Sequence, residues 1–270
     1  MIGAAELRLV RSFLYLPASN ARAIEKARTL DADMIVLDLE DAVRPEHKDS
    51  ARAAAVEAMA TGFGTRIAAI RVNAHGTEHF GRDILAVRDS RAQCVVLPKV
   101  EHHDQVKHAL QLAGKPVLAM IETPAGLLNA AAIAPGTVGL IAGTNDLAAE
   151  LRLPSGQDRS GLSYALQMTV LAARAAGVAV FDGVYNVLED DVGLRAQCSE
   201  GRAFGFDGKT LIHPSQIATA NRIFGPSDDE VEAARRLIDA ARGGAERYGD
   251  RMIESMHVAQ AEATLAKARR

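Results

Sequence analysis

The sequence is poor in residues and patterns that mark several classes of protein. Its 270 residues include no tryptophan, and aromatic residues make up 4% of the chain. The two cysteines, Cys94 and Cys198, lie far apart and match no metal-ligand spacing, so we expect reduced thiols in a cytoplasmic protein. The apolar runs are short and lie between charged residues, which predicts no membrane span. The stretch before Arg11 contains Glu6 and Arg8, so we expect no signal peptide.

The charge balance argues against a nucleic-acid partner. The chain has 31 Lys and Arg residues against 34 Asp and Glu residues, a net charge of -3, and no basic block. A protein that binds nucleic acid needs a cationic face to neutralise phosphates. Hydrophobic residues make up 48% of the chain and charged residues 24%, which excludes a disordered protein and favours a globular one.

Short apolar runs alternate with longer, alanine-rich amphipathic stretches along the chain. The runs are Ser12–Leu16, Met34–Asp38, Ile67–Val72, Cys94–Pro98, Val117–Ile121, Val138–Ala142, Val178–Asp182 and Lys209–His213. Nearly continuous apolarity over so few residues is typical of strands that are buried on both faces. The stretches between them predict helices, with Asn20 and Thr123 as N-caps.

Eight strands that alternate with helices predict a (β/α)8 TIM barrel over residues 1–224. A doubly wound open sheet is the alternative, but the G-x-G-x-x-G turn expected of it is absent, as is a phosphate loop. Residues 225–270 predict a C-terminal helical extension, with helices at Glu230–Arg242 and Met256–Ala268 around a break at Gly243–Gly244.

Polar residues follow nearly every predicted strand, where the active site of such a barrel lies. They are Asp38-Leu39-Glu40-Asp41, Arg71-Val72-Asn73, Pro98-Lys99-Val100-Glu101, Glu122-Thr123, Gly143-Thr144-Asn145-Asp146, Asp182 and His213-Pro214. Carboxylates outnumber cations in this set, and crowding them without compensation is costly. A divalent cation would relieve the repulsion, and oxygen ligands favour Mg²⁺.

The same segments resemble the signature blocks of a known family. The blocks are RSFLYLP (residues 11–17), LDLEDAV (37–43), RVN (71–73), LPKVE (97–101), IETP (121–124), NDLA (145–148) and KTLIHP (209–214). In this order and spacing, over residues 11 to about 260, they resemble the citrate lyase β-subunit-like family. That group includes malyl-CoA and citramalyl-CoA lyases and belongs to the HpcH/HpaI aldolase superfamily, whose fold is a TIM barrel.

The resemblance implies roles for particular residues. Glu122 and Asp146 match the family's metal ligands, and Arg71 matches the arginine that contacts the substrate. Glu40 and Asp41 match the acidic loop that orders the metal's water ligands and the rim of the site.

At further positions the chain matches the family's pattern less closely or departs from it. Lys26 matches a position that contacts the CoA nucleotide in related lyases, or else is a solvated helix residue. His213 and His75 are candidate acid–base groups, although hydrogen-bonded rim histidines are the better interpretation. Asn145 stands where relatives have an acid before the metal aspartate. Glu254 replaces the aspartate of a Met-Ile-Asp motif that reaches a neighbouring subunit's site, and its extra methylene puts proton transfer in question.

The resemblance therefore implies a Mg²⁺-dependent carbon–carbon lyase. Retro-Claisen cleavage of a malyl-, citramalyl- or citryl-CoA type thioester would give acetyl-CoA and a 2-keto acid. The alternatives are a CoA-independent pyruvate-class aldolase and an accessory β-subunit that acts on an acyl carrier protein thioester. Relatives are trimers or multiples of trimers, so we expect a homo-oligomer whose extension packs on a neighbouring subunit.

Overall fold

A closed barrel of eight parallel strands forms the centre of the computed structural model, which describes residues 1–156, 158–249 and 251–268. The strands are β1 Ser12–Pro17, β2 Met34–Asp38, β3 Ile67–Arg71, β4 Cys94–Leu97, β5 Val117–Ile121, β6 Gly139–Ala142, β7 Ala179–Asp182 and β8 Gly208–Leu211. They pair in chain order, and β8 closes the barrel against β1. Every predicted apolar run contributes a strand, and the predicted TIM barrel is confirmed.

One short helix precedes β1, and the other helices follow the strands around the outside of the barrel. They are α1 Ala4–Leu7, α2 Ala21–Ala27, α3 Lys48–Thr61, α4 Phe80–Asp89, α5 His103–Ala113, α6 Pro124–Leu128, α7 Ala130–Ile133, α8 Thr144–Glu150, α9 Ser163–Ala175, α10 Asp191–Phe204 and α11 Ile217–Phe224. Single 3₁₀ turns span Pro45–His47, Ala134–Gly136, Ser160–Leu162 and Pro214–Gln216. Both predicted N-caps are confirmed, because Asn20 Oδ1 accepts from Ala23 N and Thr123 Oγ1 accepts from Gly126 N, each at 3.0 Å.

Two apolar layers explain why the strand sequences are continuously hydrophobic. Alternate residues such as Phe13, Val36 and Phe181 fill the barrel interior, where the Phe13 and Phe181 rings pack edge to face at 5.2 Å. Their neighbours, such as Leu14 and Leu37, face outward and pack in the larger cluster with the helices. Because successive side chains in a strand point to opposite faces, each strand contributes to both layers.

The prediction that Asp182 lies at the active-site rim is wrong. Phe181 points into the barrel, so the next side chain points outward, towards α10. A Cβ at Gly201 of α10 would lie 2.6 Å from Asp182 Oδ2. The fully buried carboxylate accepts hydrogen bonds from Arg159 Nη1 at 2.7 Å and from Lys209 Nζ at 2.9 Å. Asp182 is thus the centre of a structural ion-pair network outside the barrel.

The C-terminal extension forms a small unit with its own apolar cluster. It consists of α12 Asp228–Ala240, an antiparallel hairpin of β9 Glu246–Tyr248 and β10 Arg251–Ile253, and α13 Ser255–Ala268. Ala234 and Leu237 of α12 pack with Ile253 and Ala261. The hairpin was not predicted, because three-residue strands are too short to reveal an alternating pattern.

The extension also contacts its own barrel. Arg202 of α10 donates to Glu230 of α12 at 2.6 Å, and Lys267 near the end of α13 donates to the carbonyl of Asp207, the residue before β8. Packing of this extension on a neighbouring subunit stays a prediction. Across the described ranges, no helix combines the length and the apolar character that crossing a membrane requires.

We predict that Asp182→Asn lowers the free energy of unfolding by about 3–5 kcal/mol, because fully buried Lys209 would keep its charge without this counter-ion and Arg159 would retain only its pair with Glu200. Urea denaturation measures the change. Glu232→Gln is the matched control, since the Glu232–Arg236 pair is exposed and its loss should cost less than about 1 kcal/mol. Equal stability of the two variants would contradict the assigned network.

Candidate active site

A cavity of about 390 Å³ lies at the C-terminal end of the barrel. Its lining comes from residues at the ends of seven strands or in the loops that follow them. The lining residues are Tyr15, Leu16, Pro17, Asp38, Asp41, Ala42, Arg71, Met120, Glu122, Ala142, Gly143, Thr144, Asn145, Asp146, Val184, Thr210 and Ile212. The structure therefore brings Arg71, Asp41, Glu122 and Asp146, all predicted from the sequence, to one place.

Glu122 lies deep in this cavity. Its side chain follows β5 by one residue and continues the inward series of Leu118 and Met120. Lys99 donates its backbone N–H to Glu122 Oε1 at 2.7 Å. Burial, reinforced by the negative charge of Glu40, raises the pKa of Glu122 to about 7. Glu122 is therefore a desolvated carboxylate with a deficit of positive charge around it.

Asp146 approaches the same cavity from the first turn of α8. Its side chain is 38% exposed and therefore accessible to solvent, whereas Glu122 is buried. Gly143, between β6 and α8, makes room for the pair, because a Cβ at this position would overlap the Cβ and Oε2 atoms of Glu122. The inward register of Gly143 after Ile141 places it at the cavity, but its close approach to Glu122 has no signal in the local sequence.

Arg71 is held rigidly at the opposite wall. Its Nε and Nη2 donate to Asp38 Oδ1 and Oδ2 at 2.7 and 2.6 Å, and its guanidinium carbon lies 5.1 Å from the centre of the Tyr15 ring. Burial lowers the pKa of Arg71, but the adjacent Asp38 raises it more, so the net shift is well above the ordinary value. Arg71 is thus a permanent cation whose remaining nitrogen, Nη1, is not bonded to Asp38.

The acidic loop after β2 is anchored by the same Asp38. The carboxylate of Asp38 accepts from the backbone N–H groups of Glu40 and Ala42 at 2.9 and 3.1 Å. With the two hydrogen bonds from Arg71, this carboxylate accepts four, a role that its place in the sequence motif does not indicate. The short side chain at the end of β2 therefore fixes both the arginine and the loop.

The two predicted acids of this loop differ in exposure. Glu40 is buried and does not line the cavity; its Oε1 accepts from Lys99 Nζ at 2.7 Å, while Oε2 lies 3.2 Å from Arg71 Nη1 without hydrogen-bond geometry. Burial raises the pKa of Glu40 above its ordinary value, against the opposing effect of Arg71. The side chain of Asp41 lines the cavity, is 60% exposed and lies 3.7 Å from Lys99 Nζ.

Other residues singled out in the sequence lie away from the cavity. Lys26 is exposed on α2, and Glu254 is exposed just after β10. His213 Nδ1 accepts from Ser215 N at 3.2 Å, which makes it the cap of a 3₁₀ turn, and His75 Nε2 lies 2.9 Å from His108 Nδ1. None of these four residues lines the cavity. The predicted roles of Lys26 and Glu254 stay predictions.

Asn145 lies in the cavity wall beside Asp146. Its side-chain amide exchanges hydrogen bonds with Asn186 at 2.7 and 3.3 Å, linking the segments after β6 and β7. The neutral pair occupies the place where the resemblance leads us to expect a carboxylate.

The donor set at the cavity fits a hard divalent cation. Within the described residues, no group of three or more His, Cys, Asp and Glu side chains is spaced to hold a metal ion by itself. Mg²⁺, however, typically takes one or two protein carboxylates and completes its octahedron with water and substrate. Glu122 and Asp146 supply that number, and nearby Glu40, whose buried Oε2 has no hydrogen-bond partner, adds negative charge that acts on Glu122.

Comparison with known proteins agrees with this fold. The profile of the HpcH/HpaI aldolase/citrate lyase family matches residues 11–214. The chain is 45% identical over 269 residues to a (3S)-malyl-CoA thioesterase of Cereibacter sphaeroides, covering 96% of this chain and 94% of the relative. It is 34% identical over 252 residues to the citrate lyase β subunit of Leuconostoc mesenteroides subsp. cremoris, covering 86% and 82%.

A solved structure shares the fold. The crystal structure of CitE from Mycobacterium tuberculosis, in complex with magnesium, acetoacetate and coenzyme A, superposes with a TM-score of 0.79 at 32% identity and covers 98% of this chain and 100% of that one. The closed barrel and the family match together define an enzyme of the citrate lyase β and HpcH aldolase type. This chain belongs to the HpcH/HpaI aldolase/citrate lyase family.

We predict that Gly143→Ala weakens Mg²⁺ binding at least about tenfold, because the new Cβ displaces the Glu122 carboxylate and ligand-supporting contacts typically control affinity to that extent. Isothermal titration calorimetry measures the affinity. Gly81→Ala is the matched control, since a Cβ there meets no atom within 4 Å and should leave binding unchanged. Unchanged binding by the Gly143 variant would contradict the assigned position of Glu122.

Proposed function

We propose that this chain is a Mg²⁺-dependent carbon–carbon lyase that cleaves a 3-hydroxyacyl-CoA to acetyl-CoA and a 2-keto acid. The substrate is of the malyl-, citramalyl- or citryl-CoA type. The convergence of Glu122, Asp146 and Arg71 on one cavity carries the proposal. The Mycobacterium tuberculosis relative with magnesium, acetoacetate and coenzyme A supports it by similarity.

Two carboxylates would hold the metal. Glu122 and Asp146 are the proposed ligands, with water and substrate oxygen atoms completing the shell. Bound Mg²⁺ supplies Lewis-acid polarisation of the oxygen atoms of the keto-acid half. The burial of Glu122 excludes bulk water from the inner side of the site, which strengthens the electrostatic interactions there.

Arg71 would bind the negative charge of the substrate. Its Nη1 is the corner of the guanidinium that Asp38 does not occupy, and it is fixed in place by the other two nitrogens. A rigid donor stabilises a carboxylate or an enolate oxygen without reorganisation during the reaction. Arg71 therefore orients the substrate and offsets the charge that develops on the acetyl half.

The cleavage needs one proton removed and one delivered. Loss of the proton from the 3-hydroxyl group lets the C2–C3 bond break, the hydroxyl carbon becomes the carbonyl of the keto acid, and the electron pair moves into the thioester enolate. That enolate takes a proton at carbon to give acetyl-CoA. Glu254 of a neighbouring subunit is the proposed acid–base group for the acetyl carbon, in a trimer or hexamer.

The size of the cavity suits the acyl group rather than the whole cofactor. A volume of about 390 Å³ is at the small end of ligand pockets. The pantetheine and nucleotide of coenzyme A would thus extend over the rim. Lys26 on α2, exposed and basic, is the proposed contact for the nucleotide.

Thioester hydrolysis is a second candidate function. The specific observation that favours it is the 45% identity to a protein named (3S)-malyl-CoA thioesterase over nearly the whole chain. In that reaction water adds to the thioester carbonyl, the C–S bond breaks, and the products are the free acid and CoA. The same carboxylates and arginine would serve either reaction.

One assay separates these functions. Malyl-, citramalyl- and citryl-CoA are supplied with and without Mg²⁺, and free thiol, acetyl-CoA and keto acid are quantified separately. Acetyl-CoA and keto acid in equal amounts support the lyase, whereas free CoA with the intact hydroxy acid supports the thioesterase. Cleavage of a free hydroxy-keto acid would indicate the aldolase alternative, and turnover only of an acyl carrier protein thioester would indicate the accessory β-subunit.

We predict that Glu122→Gln and Asp146→Asn each abolish Mg²⁺ binding and Mg²⁺-dependent turnover, because each removes a charged ligand from a site with two. Titration calorimetry and the product assay measure both effects. Asp104→Asn is the control, since Asp104 occupies the first turn of α5 and does not line the cavity. Near-normal binding by either cavity variant would show that the ligands are assigned wrongly.

We also predict that activity returns when inactive Glu122→Ala and Glu254→Ala proteins are mixed under subunit exchange. Some mixed interfaces would then pair an intact Glu122 with an intact Glu254. Mass spectrometry of differently labelled chains verifies the exchange. Complete exchange without recovered turnover would exclude a site shared between subunits.

A further inference from the structure

Lys99 adopts an unusual backbone conformation at the edge of the cavity. It follows β4 and has a φ of 50°, in the left-handed region that residues other than glycine rarely occupy. This conformation accompanies the hydrogen bond from its backbone N–H to Glu122 Oε1 at 2.7 Å. The local strain is therefore linked to the orientation of a proposed metal ligand.

The ammonium group of Lys99 connects three loops. Its Nζ donates to Glu40 Oε1 at 2.7 Å, lies 3.6 Å from Asp146 Oδ2 and lies 3.7 Å from Asp41 Oδ1. The side chain is 39% exposed, so the group has room to move towards solvent. One cation thus lies among acids that follow β2 and β6, while its own backbone contacts the acid that follows β5.

We infer that Lys99 is a positioning residue that acts as the internal counter-ion of the metal site, holding Glu40, Asp41 and Asp146 before the metal binds and separating from Asp146 when it does. The inference rests on the proposed binding of Mg²⁺ by Glu122 and Asp146.

Charge and geometry distinguish this role from a simple salt bridge. A bond to Glu40 alone would account for the 2.7 Å contact, but the ammonium also lies beside Asp146. A divalent cation on Asp146 would then have a like charge a few ångströms away, which opposes its binding. Lys99 therefore offsets the repulsion among the acids in the metal-free protein and lowers the affinity for the metal.

The test compares Lys99→Met with Lys99→Arg. Lysine, methionine and arginine are all unbranched at Cβ, so each incurs a similar backbone strain at this position, and the variants differ in charge. In EDTA, we expect the melting temperature of Lys99→Met to fall by about 2–4 °C, because buried Glu40 loses a counter-ion. By calorimetry, we expect Lys99→Met to bind Mg²⁺ at least about tenfold more tightly than the unaltered protein. Lys99→Arg should match the unaltered protein in both measurements.

The outcomes separate this inference from the proposed function. Tighter Mg²⁺ binding by Lys99→Met, with unchanged binding by Lys99→Arg, supports the counter-ion role. If the unaltered protein binds Mg²⁺ and Lys99→Met binds it equally or more weakly, the counter-ion role is overturned, whereas the proposed metal site is not. Absence of Mg²⁺ binding to the unaltered protein overturns both.

Discussion

The buried carboxylate of Asp38 is the group on which the geometry of the cavity depends. It accepts two hydrogen bonds from Arg71 and two from the backbone of the acidic loop, so one side chain fixes a cation and an anionic segment together. A buried charge is stable only when it is paired and hydrogen-bonded, and Asp38 satisfies both conditions. The position of Arg71 relative to Glu122 therefore follows from a contact that involves no substrate.

Much of the fold and part of the site could be predicted from the sequence. The strands were evident because burial on both faces leaves continuous apolar runs. Their alternation also determines which residue after each strand faces the cavity: Arg71 continues the inward series of Ile67 and Ala69, whereas Asp182 follows the inward Phe181 and points outward. The same alternation, extended past the end of β7, predicts that the side chain of Asp182 points away from the cavity.

Other features depend on contacts that no local pattern reveals. Lys99 has the outward register after Val96, and only its left-handed backbone and long side chain bring its ammonium group among the acids. The absence of a Cβ at Gly143 matters because of Glu122, which follows a different strand. Such relations join loops that are distant in the sequence, so periodicity within a segment contains no information about them.

The extension has an apolar cluster of its own, formed by α12, β10 and α13. The packing of this cluster is separate from that of the barrel core. Substitutions in cores that share no contacts change stability almost additively. Substitutions in this apolar cluster are therefore expected to change the stability of the extension more than that of the barrel core. Over evolutionary time, the extension and the barrel core can therefore diverge in sequence at different rates.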